Sequence, residues 1–114
     1  MQKSEYSLIF TPTADRDLAQ IAEDYIILGS VSGANRILNK ILDITENIRF
    51  MPYIGKLSSN PELEQMGIRI FPVEKYLIVY RISENDKIIT VYRVLNGTTN
   101  YIDRLKNALA EENP

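Results

Sequence analysis

Three arginines stand one to a run in three consecutive apolar stretches: Arg69 in 67–73, Arg81 in 76–82, and Arg93 in Tyr92-Arg93-Val94-Leu95-Asn96-Gly97. Lys75 lies between the first two runs, and Asn96 and Tyr101 close the third. Guanidinium and ammonium groups bind carboxylate or phosphate oxygens, and cations can stabilise a pentacoordinate phosphate. A tyrosine serves as acid or base only if its pKa is displaced. The chain has no histidine and no cysteine. That excludes a histidine base, a thiolate nucleophile, disulfides and a conventional Cys/His zinc site. There is no glycine-rich phosphate loop and no nucleophile arrangement, so neither metal nor cofactor is expected. Two readings of the arginines stand side by side. They form a cationic patch on an exposed sheet face, meeting phosphate or an acidic partner. Alternatively they pair with helix carboxylates and snorkel from the sheet edge. Strand parity sets Arg81 with Leu77 and Val79, and Arg93 with Ile89, Val91 and Leu95. Each thus lies in an apolar row, which favours a partly buried structural role for at least one.

The elements that must position these residues follow from periodicity. Tyr6 to Phe10 reads as a short strand ended by Thr11-Pro12. A helix follows with Thr13 as its cap, Asp15 and Asp17 at its positive end, and Ala14, Leu18, Ile21, Ala22, Tyr25 and Leu28 at helical spacing. Gly29 is its stop. Ser30 or Ser32 caps a second helix striped by Ala34, Ile37, Leu38, Ile41, Ile44 and Ile48, which ends before Pro52. Residues 52–65 read as an irregular connection. Three strands then follow, joined near Glu74-Lys75 and through Glu84-Asn85-Asp86, so neighbours are antiparallel. Their nearly continuous apolar character predicts cover on both faces. Asn96-Gly97 is a turn signal, and Tyr101 to Ala110 makes a short helix ahead of a frayed tail. The order predicts an α+β domain, with a helical hairpin on one face of an antiparallel meander into which the first strand must pair. Tyr76, Tyr80 and Tyr92 read as sheet packing; Asp15, Asp17, Glu23 and Asp24 read as a solvated helix face and not a metal cluster.

One domain spans residues 1–114, with its core in about 6–110. Apolar residues make up 45% and charged residues 25%, ordinary for a soluble globular protein. No apolar leader follows Met1 to Tyr6 and no run approaches a membrane span, which predicts a cytoplasmic protein without membrane contact. The net charge of −2 speaks against holding naked nucleic acid, and no sequence-specific DNA binding is expected.

Several segments, taken in order, carry a family resemblance: the acidic striped helix, Pro52-Tyr53-Ile54-Gly55, Gly67-Ile68-Arg69, Phe71-Pro72-Val73, Lys75-Tyr76-Leu77-Ile78-Val79-Tyr80-Arg81, and the arginine strand ending at Asn96-Gly97. From about residue 6 to 105 the chain resembles the RelE/ParE superfamily of toxins, the ParE-like branch most closely. The resemblance implies the toxin of a type II toxin–antitoxin pair, which inhibits growth, serves plasmid stabilisation and is neutralised by a cognate antitoxin lying along the hairpin and sheet. ParE-like members look like inhibitors of DNA gyrase. RelE-like members cut messenger RNA on the ribosome, and for that activity the catalytic candidates here are Arg69, Arg81, Arg93 and Tyr101. The candidates for contact with a target or partner are Arg69, Lys75, Arg81, Arg93 and Asn96. Leu77 stands where RelE-type nucleases commonly carry an arginine, Asn96 at the usual His or Tyr position, and Thr99-Asn100 at the usual Arg-Asp pair. These departures remove groups a nuclease would use, leaving gyrase inhibition, or a non-toxic binding module of the same fold, as the readings beside it.

Overall fold

The second half of the chain builds most of the sheet, and the two helices of the first half cover one of its faces. A computed structural model describes residues 4–97 and 101–112. In chain order the elements are β1 (Ser7–Phe10), α1 (Pro12–Ile27), α2 (Val31–Phe50), a 3-10 turn (Pro52–Ile54), β2 (Lys56–Leu57), α3 (Pro61–Gln65), β3 (Arg69–Val73), β4 (Tyr76–Ser83), β5 (Ile88–Asn96) and α4 (Tyr101–Glu112). The five strands lie in the order β1-β5-β4-β3-β2. The predicted meander of β3, β4 and β5 is antiparallel, and β1 joins it parallel to β5, with Ser7 opposite Ile88 and Phe10 opposite Val91. A parallel pair needs a long connection, and the chain from α1 to β4 supplies it.

Local chemistry sets the helix ends. Thr11, not Thr13, caps α1: its Oγ1 accepts from the Ala14 amide at 3.0 Å. Pro12 at the first helical position has the φ a helix needs and no amide to orphan, which moves the start back. Gly29 holds φ at 84° between the helices, a conformation that side chains rarely adopt. Ser30 caps α2 through the Gly33 amide at 3.0 Å.

The connection read as irregular holds three short elements, the 3-10 turn, β2 and α3. β2 pairs Lys56 with Ile70 and Leu57 with Arg69. Asn60 caps α3, accepting from the Leu63 amide at 3.2 Å, with Pro61 at its first position. An Asn-Pro start is a legible helix signal, but a five-residue helix offers too little periodicity to be seen by pattern.

Both sheet faces carry a packed layer, and on the second it covers only part of the face. On one, Ile21 of α1 and Ile37, Ile41 and Ile48 of α2 pack on Ile78, Tyr80, Ile89 and Val91. On the other, Leu63 of α3 and Leu105 and Leu109 of α4 pack on Ile68, Val79 and Leu95. This second layer is why the strands are apolar on both sides.

The β3–β4 turn is tied to α2. Glu74 sits at φ 54° and accepts from Arg36 Nη1 at 2.6 Å and Lys40 Nζ at 3.2 Å. Hydrogen bonds from Arg36 first, and then Lys40, hold its carboxyl down at about 2. A depressed carboxyl stabilises the fold in full above the ordinary value of 4.5, and that contribution is lost as pH falls through about 2. The melting temperature of Glu74→Gln is therefore expected to vary less than that of the wild type between pH 5 and pH 2. Equal slopes in the two proteins would refute the tie.

Candidate functional site

Strand parity and one bulge decide where the predicted cations go. β3 and β4 pair Arg69 with Tyr80, Phe71 with Ile78 and Val73 with Tyr76. Phe71, Ile78 and Tyr80 belong to the hairpin-side core, so Arg69 stands on that face too. Arg81 follows Leu77 and Val79 on the opposite face, as parity predicts, and is exposed. β5 carries an irregularity: Val79 pairs with Arg93 but Tyr80 with Val91. The extra residue resets the alternation. Ile89 and Val91 lie in the hairpin-side core, whereas Leu95 lies in the other, so Arg93 does not share one row with all three.

Arg93 is the buried arginine. Its Nε donates to Asp17 Oδ2 at 2.7 Å and its Nη2 to Asp17 Oδ1 at 2.9 Å. The two side chains are 10% and 12% exposed. Asp17 also accepts from the Val94 amide at 2.9 Å, and Arg93 Nη1 lies 3.4 Å from the Arg104 carbonyl of α4. β1 ends at Phe10 opposite Val91, so beyond that point the carboxylate takes up a β5 edge donor that a strand would otherwise satisfy. Asp17 is thus an anchor, not part of a solvated face. Its position three residues after Ala14 and four before Ile21, within the apolar stripe, was the signal in the sequence.

Arg69 braces the connection after α2. Its Nη1 donates to the Gly55 carbonyl at 2.6 Å, and its guanidinium lies 4.8 Å from the Tyr53 ring centroid. Buried Tyr80 completes the brace: its hydroxyl donates to the Pro52 carbonyl at 2.7 Å and accepts from the Gly55 amide at 2.9 Å. Lys75 is exposed, its ammonium 5.7 Å from the Tyr25 ring and 5.5 Å from that of Tyr76. Asn96 ends β5, and the next amide, of Gly97, donates to the Lys75 carbonyl at 2.7 Å. This Asn-Gly pair therefore closes a strand against the β3–β4 turn and makes no hairpin. Lys75 and Asn96 border a cleft of about 140 Å³ with Asp17, Asp24, Tyr76 and Arg104. Tyr101 opens α4, but its side chain, like Thr99 and Asn100, lies outside the described residues.

The five candidates whose side chains are described thus do not converge on one point. Arg69 and Arg81 occupy opposite faces, Arg93 is tied at the β5 edge, and Lys75 and Asn96 stand at the far end of the sheet. The tyrosines that shift all move away from neutrality: burial, then Tyr25, pushes Tyr76 up to about 12, and burial also raises Tyr80. A hydrogen bond to Glu84 pushes Tyr6 up to about 12. These three serve as neutral packing groups, not bases. Among the described residues no group of three or more acidic side chains gathers as a metal site. No helix among them is long and apolar enough to cross a membrane.

With this geometry in hand, comparison with protein families matches residues 8–101 to the ParE toxin of the type II toxin–antitoxin system parDE. The chain belongs to the ParE toxin family. The match runs from β1 to the first residue of α4, so the hairpin, the meander and the Asp17–Arg93 anchor all fall within the family segment. Among solved structures, the ParE-family fold is similar to a chain of the chromosomal ParDE toxin–antitoxin system from P. aeruginosa, with a TM-score of 0.67 and 21% identity over 82% of this chain and 98% of that one. It is also similar to a chain of the RelBE2 toxin–antitoxin complex from Mycobacterium tuberculosis, with a TM-score of 0.61 and 25% identity over 80% and 96%. A comparison with curated proteins finds no match.

Proposed function

We propose that this ParE-family chain is the toxin of a type II toxin–antitoxin pair, acting in the cytoplasm by binding an essential target and silenced by a cognate antitoxin. DNA gyrase is the target we favour. The observation that carries the reading is the family match over residues 8–101. The similar solved chains, each from a toxin–antitoxin system, support an antitoxin partner. The geometry favours binding over RNA cleavage. A nuclease without histidine must gather cations around one phosphate, and here Arg69 is engaged with the Gly55 carbonyl and Arg93 with Asp17 at the β5 edge. The acidic balance of the chain points the same way.

Regulated expression tests the reading. Induction of the chain alone is expected to stop growth, and co-expression of the small protein encoded beside it to restore growth. Supercoiling by purified DNA gyrase is expected to fall as the chain is added. Unchanged growth on induction would mark a binding module without toxicity. Codon-positioned messenger cuts on purified ribosomes, with gyrase unaffected, would establish the nuclease instead.

A further inference from the structure

Leu63, Leu105 and Leu109 shield Ile68, Val79 and Leu95, but the second sheet face remains open beside them. Arg81 is exposed there, directly across from Thr90, and Ile9 lies beside Thr90 on β1, 49% exposed. Lys56 of β2 lies on the same face, opposite Ile70, and is also exposed. Among the described residues neither Arg81 nor Lys56 has an ion pair, whereas Arg36, Lys40, Arg49, Lys87, Arg93 and Lys106 all do. No strand position on this face carries an acid: the five strands contribute Ser7, Ile9, Lys56, Ile70, Pro72, the odd positions of β4, and apolar or hydroxyl residues of β5 besides Arg93. By strand spacing the two cations sit roughly 12 Å apart, with aliphatic surface between and beside them.

We infer that this open half-face, with Arg81 and Lys56 as its charged contacts, is the surface through which the toxin meets an acidic protein surface on its target. The inference rests on the toxin reading given above. Three features argue for carboxylates on a protein and not for a nucleic acid. The cations are two and widely spaced, where a phosphate backbone is bound by a run of them. The surface beside them is exposed Ile9 with half-buried Thr90, and the β5 aromatic, Tyr92, is packed half-buried against the α3–α4 core and is not free as a platform on which bases stack. The chain as a whole is acidic. Arg81, which has no hydrogen bond or ion pair among the described residues, can offer its planar fork to a carboxylate without first giving up a bond to them.

The test compares the full chain with an Arg81→Glu/Lys56→Glu double variant and with Arg16→Glu, a reversal on exposed α1 whose guanidinium bonds Thr13. Growth arrest on induction, binding to purified DNA gyrase and binding to a single-stranded RNA oligonucleotide are read for each. Melting curves confirm folding. The expected result is arrest and gyrase binding by the wild type and by Arg16→Glu, with a loss of about 100-fold in both for the double variant. Wild-type binding to gyrase is also expected to weaken as salt rises, a readout that needs no variant. A double variant as potent as the wild type would overturn the inference and leave the toxin reading standing. RNA binding that depends on these two residues, with gyrase binding unchanged, would overturn it too. A wild type that neither stops growth nor binds gyrase would overturn the toxin reading, and this inference with it.

Discussion

Asp17→Ala is expected to lower stability by about 3–5 kcal/mol, a drop of roughly 10–20 °C in melting temperature. The size follows from what the change leaves behind. Asp17 accepts three hydrogen bonds, from Arg93 Nε, Arg93 Nη2 and the Val94 amide. Its removal takes a charge partner and two hydrogen bonds from a guanidinium that is 10% exposed, and takes the acceptor from the Val94 amide. Arg93→Ala is expected to cost less, because the remaining carboxylate still accepts from the Val94 amide. Asp17→Leu/Arg93→Met should recover part of the loss, since two apolar side chains of similar size leave no buried charge. A double-mutant cycle by chemical denaturation measures the coupling. If Asp17→Ala melts within a degree or two of the wild type, the pair is not an anchor. Because the pair joins α1 to β5 and Arg93 reaches toward the Arg104 carbonyl, hydrogen exchange at the buried amides of Leu105 and Leu109 is also expected to quicken in Asp17→Ala.

Gly55→Ala is the second large effect, through steric crowding and not lost charge. A Cβ at Gly55 would lie 2.6 Å from the Tyr80 hydroxyl and 2.8 Å from its Cε1. Tyr80 is fully buried, so the ring cannot swing away, and the connection must lift off the sheet. The expected cost is about 1–3 kcal/mol. Tyr80→Phe removes the bonds to the Pro52 carbonyl and the Gly55 amide and is expected to cost about as much. The two changes act on one contact, so their costs should fall well short of adding. Additive costs in urea melts would show that the brace is not a single unit. The brace bears on function because β2, which follows it directly, carries Lys56 onto the open half-face.

The helices and strands were legible because each long element repeats its own period. α2 shows five buried positions at helical spacing, and β4 buries Tyr76, Ile78 and Tyr80 on one side. The expectation of cover on both faces held for the same reason, in part on the second: Val79 and Leu95 are as apolar as their neighbours and needed a second layer, which α3 and α4 supply over that part of the sheet. Caps were legible to within two residues. Ser30 and Gly29 act as read, while Pro12 moved the α1 start back to Thr11. β2 and α3 escaped because two and five residues are too few to show a period.

The arginines divide along another line. The sequence by itself determined that each lies on its own strand, and that one at least would be drawn into the core. Which one, and on which face, was decided by tertiary structure. The irregularity where Val79 and Tyr80 meet β5 turns Arg93 toward the edge that β1 leaves uncovered, and Asp17 of α1 meets it there. Arg69 faces the hairpin side and is taken up by the Gly55 carbonyl, which leaves Arg81 in solvent. Periodicity is a property of neighbouring residues, so a single chain displays it. The pairing of Arg93 with Asp17, 76 positions apart, depends on a register and a bulge that exist only once the strands have met.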